Sequence, residues 1–277
     1  MAPWHRLQLD PDFAEERDLW SRGYRFVAGV DEVGRGCLAG PVACGAVILP
    51  PEWRPAGLRD SKMLKAEDRE RLGEEIMAGA LAWSVAFVEP SVIDRINILQ
   101  ATLLAAQLAA AKLPVRPDAL ILDGTLLLPD IAVHQRVVID GDRLCASVAA
   151  ASVVAKLLRD RLMIEMDGRY PGYDLASNKG YAAPEHRAGL KARGIAPIHR
   201  LTFASVTAVE QGNLWEGFDG EDSEAVLVGE AVGPGNDADA EGVLVGEAVG
   251  PGDDPDDAVL VGEAVGPGDD PGAEVAE

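Results

Sequence analysis

Cysteine is scarce. Cys37, Cys44 and Cys145 are the only three in 277 residues, at unrelated spacings and with no Cys-x-x-Cys pair. This argues against a disulfide framework and a thiolate zinc site, and a reducing cytoplasm is the expected compartment. Long apolar runs are also missing. The best candidate, residues 98–113, is interrupted by Gln100, Gln107 and Lys112 and is too short to cross a bilayer. The N-terminus has no basic stretch leading into an apolar one, so no secretory signal is expected. Lys and Arg are absent from residue 216 onward, where 19 of the 46 acidic residues lie. The net charge of −21 therefore belongs mostly to the tail. The first 215 residues hold 27 acidic and 25 basic residues, and residues 156–200 hold nine basic and five acidic. A local basic surplus attracts a phosphate backbone, although a solvated helical face produces the same count.

What the tail does have is a repeat. Val226-Leu-Val-Gly-Glu-Ala-Val-Gly-Pro-Gly recurs from Val243 and from Val259, separated by acidic linkers. Each apolar run is short and broken by Gly-Pro-Gly. Such a segment buries too little apolar surface to offset its chain entropy, so residues 216–277 are expected to be a disordered, solvating appendage. Residues 1–215 are expected to form the catalytic domain, including C-terminal helices.

That body alternates strands and helices. Helices are expected at residues 11–22, 65–77, 91–112 (capped by Ser91), 142–166 and 184–193. Strands are expected at residues 24–31, 42–49, 82–88, 119–122 and 136–139, the first two joined as a hairpin through the Gly/Pro-rich residues 34–41. Three adjacent strands followed by helix–strand alternation predict an α/β fold, a mixed sheet flanked by helices.

Four acids fall at strand ends. Asp31 and Glu32 follow an apolar run, Asp123 follows Ala119-Leu-Ile-Leu122, and Asp142 comes just after Arg136-Val-Val-Ile139. Read alone, Asp123 before Gly124 is a turn residue and Asp142 a helix cap. The adjacent pair Asp31-Glu32 is harder to explain structurally, because burying carboxylates costs desolvation. If all four converge, hard divalent cations such as Mg²⁺ or Mn²⁺ would neutralise them. Two such ions ~3.5–4 Å apart serve phosphodiester hydrolysis. Strand alternation would send Asp31 and Glu32 to opposite faces, so the strand must be twisting or ending there.

The acid pair runs into Gly34-Arg35-Gly36. The whole string Ala28-Gly-Val-Asp-Glu-Val-Gly-Arg-Gly36 with Leu38-Ala-Gly-Pro-Val42 resembles the first signature of the ribonuclease HII family. Further matches follow in order: Asp60-Ser61-Lys62, Asp123-Gly124, Gly141-Asp142, Ala149-Ala-Ala-Ser-Val-Val-Ala-Lys156 with Arg159-Asp160, Tyr170-Pro-x-Tyr173, Asn178-Lys-Gly-Tyr181, Glu185-His186 and His199-Arg200. The resemblance spans roughly residues 27–206 and stops before the tail. Arg35 favours this type over the sister HIII type, which usually carries Gly-Lys-Gly.

The resemblance implies a ribonuclease H-like fold with a C-terminal helical extension. It implies an endonuclease that cuts 5′ of ribonucleotides in RNA/DNA hybrids and in duplex DNA, leaving 3′-hydroxyl and 5′-phosphate ends. It implies that Asp31, Glu32, Asp123 and Asp142 bind two Mg²⁺ or Mn²⁺ ions. It also implies that Gly34, Arg35 and Gly36 read the ribose 2′-hydroxyl, with Tyr181 packing on the next sugar. Lys62, Ser152, Lys156 and Lys179 are then expected to contact phosphates or support the site. A monomer with no membrane partner is expected. His186 and His199 are read as structural hydrogen-bonding residues. Two departures touch the pattern. Asp140 stands where the family usually has Lys, and Ala182-Ala183 where it usually has Gly-Thr, which affects metal affinity and substrate grip. Two other readings fit parts of the sequence: a structure-specific DNA nuclease of the same superfamily, and a non-catalytic hybrid-binding module.

Overall fold

The computed structural model describes residues 10–210 together with residues 245–248 and 260–265. Five strands form the sheet of the body: β1 (Val27–Val33), β2 (Val42–Ile48), β3 (Ala82–Val88), β4 (Ala119–Asp123) and β5 (His134–Val138). Their order is β5-β4-β1-β2-β3. β1, β2 and β3 form an antiparallel meander, whereas β4 runs parallel to β1 and β5 parallel to β4. The sheet is therefore mixed, as the strand pattern predicts. Two pieces of the second and third repeats, β6 (Val245–Ala248) and β7 (Leu260–Val265), pair antiparallel with each other, and β7 continues the sheet from β3. The expected disorder of residues 216–277 otherwise lies outside the described residues.

Helices cover both faces. α1 (Ala14–Ser21), α2 (Ala66–Gly79) and α5 (Ala146–Arg169) lie on one, and α3 (Pro90–Ala111) on the other. The alternation of β2 decides which residue meets which layer. Val42, Cys44, Ala46 and Ile48 join the cluster around α3, whereas Ala43 and Val47 join the cluster around α2 and α5. Both sets are buried, and so is all of β3. α5 approaches the sheet very closely, and Gly29 permits it: a Cβ at that position would fall 2.1 Å from the backbone carbon of Ser147. The small residues Ala146, Ala149, Ala150 and Ala151 line this contact. The C-terminal extension consists of α6 (Leu175–Asn178), α7 (Pro184–Arg193) and α8 (Ala204–Glu210), which pack with Leu38, Ala39 and Met163 around Tyr173 and Leu190. Among the described residues no helix is long and apolar enough to cross a membrane.

Three local expectations need correction. Ser91 does not cap α3: the cap is Glu89, with Pro90 at the first helical position, where a missing N–H costs nothing. α3 is not continuous either. Asn97 adopts φ 80° and its Oδ1 accepts from the N–H of Leu99 (2.6 Å) and Gln100 (3.2 Å), capping a second helical segment. The helix expected at residues 142–166 is split into a single turn, α4 (Gly141–Leu144), and α5, with extended backbone at Cys145.

Candidate active site

β1 and β4 are parallel neighbours, so their C-terminal ends open at the same place. The ladder between them stops at Val30↔Leu122, while β1 stays paired with β2 as far as Val33↔Ala43. At Asp31 and Glu32 the strand is thus held on one side only, by β2, and it runs on to Val33 rather than ending at the acid pair. Asp123 is the last residue of β4. Asp142 reaches the same region from α4, just after Asp140, whose φ of 57° is left-handed. The Gly141 N–H donates to Asp123 Oδ1 at 2.7 Å and ties these two segments together.

The carboxylates act on one another electrostatically. Asp31 is buried, and desolvation followed by the charge of Glu32 pushes its pKa well above the usual carboxylate range, with Asp123 adding to the rise. The pKa of Asp123 is raised by burial and by Asp142, against the Gly141 hydrogen bond. Lys62 donates to Asp142 Oδ2 at 2.6 Å, and Arg35 to Glu32 Oε1 at 3.1 Å. Burial works to lower the pKa of Lys62, but the bond to Asp142 and the field of Asp31 outweigh it and raise it above the ordinary lysine range. Among the described residues no three His, Cys, Asp or Glu side chains converge as a ready metal-binding group. Two of the four acids instead engage basic side chains. The chemistry of the site still suits a hard cation. Asp31 Oδ2 is buried with no hydrogen-bond partner, and the surrounding donors are carboxylate oxygens.

The substrate-facing candidates divide into groups. Asp31, Glu32, Arg35 and Asp123 line one cleft of about 280 Å³ together with Gly124 and Leu126. Lys156, Lys179 and Tyr181 line a separate groove with Arg69 and Asn178. Lys156 Nζ lies 2.5 Å from Asp160 Oδ1 and 5.8 Å from the centre of the Tyr181 ring. Lys179 Nζ bonds the Ala176 carbonyl. Tyr181 is partly exposed, and desolvation and then Cys37 push its pKa up to about 12. Ser152 is buried. Its hydroxyl pairs with that of Ser61 at 2.9 Å and opposes the rise in the Asp31 pKa, so it supports the site from behind. In the glycine loop, Gly34 has φ 86° and is buried, whereas Gly36 is exposed.

A sequence profile of the family described as Ribonuclease HII matches residues 28–206. Ribonuclease HII of Dehalococcoides mccartyi is 48% identical over 202 residues, covering 72% of this chain and 95% of that one. The chain belongs to the ribonuclease HII family. It is an enzyme, a metal-dependent endonuclease of the ribonuclease H class. Among solved structures, ribonuclease H2 from Pyrococcus horikoshii superposes with a TM-score of 0.59 at 25% identity, covering 68% of this chain and 99% of that chain. Bst-RNase HIII in complex with Mn²⁺ shares the fold, with a TM-score of 0.56 at 21% identity over 68% of this chain and 70% of that one. As a ribonuclease HII, the chain has its match confined to the body, and residues 216–277 lie beyond it.

Sequence reasoning missed two residues that organise this site. Arg159 and Arg200 count toward the basic surplus of residues 156–200, yet both are fully buried and spend their donors on main-chain carbonyls. Arg200 donates to Gly34 and Arg35, and Arg159 to Ala39, Pro41 and Lys179. A charge count does not separate these from surface cations. Their signal is position: each lies inside a family motif, next to Asp160 and His199.

Proposed function

We propose that this enzyme hydrolyses the phosphodiester on the 5′ side of ribonucleotides, in RNA/DNA hybrids and in duplex DNA carrying embedded ribonucleotides. The products are 3′-hydroxyl and 5′-phosphate ends. The observation that carries the proposal is that Asp31 and Asp123 are the residues just past the last paired positions of the parallel β1–β4 ladder, each with its pKa raised first by burial and then by a neighbouring acid, in one cleft with Arg35 of the glycine loop.

In this reading Asp31, Glu32, Asp123 and Asp142 hold divalent metal, Mg²⁺ or Mn²⁺, as a pair of ions. The Mn²⁺ complex of Bst-RNase HIII supports a divalent ion in this fold. When bound, such ions supply an activated water and neutralise charge at the phosphate. The protein's own residues do the rest. Gly34, Arg35 and Gly36 meet the 2′-hydroxyl, the one group that separates RNA from DNA at a given position. Tyr181 packs against the neighbouring sugar, Lys62, Lys156 and Lys179 take phosphates, and Ser152 steadies Asp31. The reading takes the enzyme to act as a monomer. The scarce, buried cysteines suit a cytoplasmic enzyme. Removal of misincorporated ribonucleotides is the cellular task that fits.

An end-labelled DNA duplex carrying one ribonucleotide, incubated with Mg²⁺ or Mn²⁺, tests the proposal. A single nick 5′ of the ribose is expected. Cutting of ribose-free duplex would instead indicate a DNA nuclease, and binding without cutting a hybrid-binding module.

A further inference from the structure

The glycine loop is held from behind by a buried arginine, alongside its own turn, in which the Cys37 N–H donates to the Gly34 carbonyl at 3.3 Å. Arg200 is fully buried and donates three hydrogen bonds, all to main-chain oxygens: Nε to Gly40 (3.0 Å), Nη1 to Arg35 (2.8 Å) and Nη2 to Gly34 (2.7 Å). A guanidinium is costly to bury, and among the described residues no carboxylate is within its hydrogen-bonding shell. What it provides is geometry. In a trans peptide the C=O and N–H point in opposite directions. With the Gly34 and Arg35 carbonyls turned inward onto Arg200, the N–H groups of Arg35 and Gly36, which share those two peptide units, turn outward. Among the described residues no acceptor faces either N–H, and Gly36 is exposed. A planar fork that engages two successive carbonyls fixes both peptide planes together, which a lysine ammonium does not do.

The residue before Arg200 serves the other half of the same surface. His199 Nε2 meets His186 Nε2 at 3.1 Å, and His186 Nδ1 meets the Tyr181 carbonyl at 2.8 Å. Main-chain bonds close the frame: Arg200 N–H to Leu38 O (2.9 Å) and Leu38 N–H to Gly180 O (2.8 Å). Two adjacent residues thus set the glycine loop against the Tyr181 segment.

We propose that Arg200 is a positioning residue for ribose discrimination, holding the carbonyls of Gly34 and Arg35 inward so that two loop N–H groups present together to the 2′-hydroxyl. This rests on the reading that the glycine loop meets the ribose. Arg200 touches no substrate and acts only through the loop.

The test compares the wild type with Arg200→Lys and with Arg200→Gln, in case the lysine variant does not fold. KM and kcat are measured on a duplex with one ribonucleotide, and Ki for the same duplex in all-deoxy form as a competitor. Val206→Ala, buried in the C-terminal cluster without a side-chain hydrogen bond to the loop, is the destabilised control. The Arg200 variants are expected to lose kcat at least tenfold and to bring Ki and KM together, with Ki for the all-deoxy duplex within about twofold of wild type because its phosphate contacts survive. Loss of activity with the Ki-to-KM ratio preserved, as in a merely destabilised protein, would overturn the proposal. Equal Ki and KM in the wild type would sink the ribose reading itself, and the proposal with it. A further measurement needs no variant. In the free wild-type protein the Arg35 and Gly36 amides are expected to exchange rapidly and to gain protection on the ribonucleotide duplex but not on the all-deoxy one. Slow exchange in the free protein would show them turned inward and overturn the proposal.

Discussion

Lys62 Nζ lies 2.6 Å from Asp142 Oδ2, although the lysine side chain is largely exposed and the aspartate is buried. A largely exposed cation is thereby held beside Asp142, where it is also within the field of Asp31. This is the position from which an ammonium can meet a phosphate approaching the same carboxylates. Lys62→Ala is expected to lower kcat/KM on a ribonucleotide duplex by about 10- to 100-fold, the scale of removing one positioned donor. Steady-state kinetics decide this, and activity within twofold of wild type would make the lysine a bystander.

Asp31 carries the heaviest electrostatic burden in the site. Its folded-state pKa is raised by desolvation and by Glu32, so the folded protein binds a proton more readily there than the unfolded chain. Such a carboxylate destabilises the fold increasingly as pH rises above its unfolded value. Asp31→Asn removes that burden. It is expected to abolish cleavage, by about 1,000-fold or more, while raising Tm at neutral pH in the absence of divalent ions. Adding Mg²⁺ or Mn²⁺ should raise the wild-type Tm and leave the variant nearly unmoved, since a ligand stabilises only a fold that binds it. A variant that melts lower than wild type in chelator would contradict this account.

The fold of the body was readable in the sequence wherever periodicity and punctuation agreed. β3 matches residues 82–88 as expected, and the β1–β2 hairpin follows from two apolar runs around Gly34 and Pro41. Asp31 and Asp123 could be placed because each ends an apolar run. What the sequence hid was tertiary. Asn97 looks like any polar residue inside a helix, and only its left-handed backbone reveals a second cap. Arg159 and Arg200 look like surface cations until the carbonyls of the loops they hold are brought to them by packing around Leu38 and Met163. Ser152 was placed as a site residue by its motif, and its buried bond to Ser61 assigns it a supporting role.

The close contact between α5 and the sheet makes Gly29 intolerant of any side chain. The nearest atoms to an added Cβ are backbone, at 2.1 and 2.2 Å, so no rotamer change relieves the overlap. Gly29→Ala is expected to cost at least the ~3 kcal/mol at the upper end of overpacking, lowering Tm by roughly 6–12 °C. Because α5 also carries Ser152 beside Asp31, activity should fall below what the loss of folded protein explains. Thermal melting alongside single-turnover cleavage separates the two effects.

The buried histidine pair sets a limit on acid stability. His199 is buried and its pKa is pushed down from 6.5 to about 4, first by desolvation; His186 is shifted the same way. The unfolded chain therefore takes up a proton before the folded one does. The contribution of His199 to stability is complete above about pH 6.5 and is lost as pH falls toward 4, by about 3 kcal/mol at most. His199→Asn should flatten the fall in urea midpoint between pH 7 and pH 4.5 relative to wild type. An unchanged pH dependence in that variant would assign the acid lability to other groups.

The tail offers an electrostatic prediction that is independent of the site. Residues 216–277 bring 19 acidic side chains and no basic ones to a body that is otherwise close to neutral. They lie beyond residue 206, where the family match ends. Duplex nucleic acid repels such a segment, and the repulsion is screened once the Debye length shrinks from ~10 Å at 0.1 M salt to ~3 Å at 1 M. A protein ending at Trp215 is therefore expected to fold and cleave, and to bind a ribonucleotide duplex more tightly than the full chain at low salt, with the two affinities converging as salt rises. Removing the tail also strips β7 from the edge of β3, so a modest drop in Tm should accompany the gain in affinity. Fluorescence anisotropy titrations of both proteins across a salt series provide the measurement. Parallel salt curves, offset equally at every concentration, would show that the tail acts by something other than its charge.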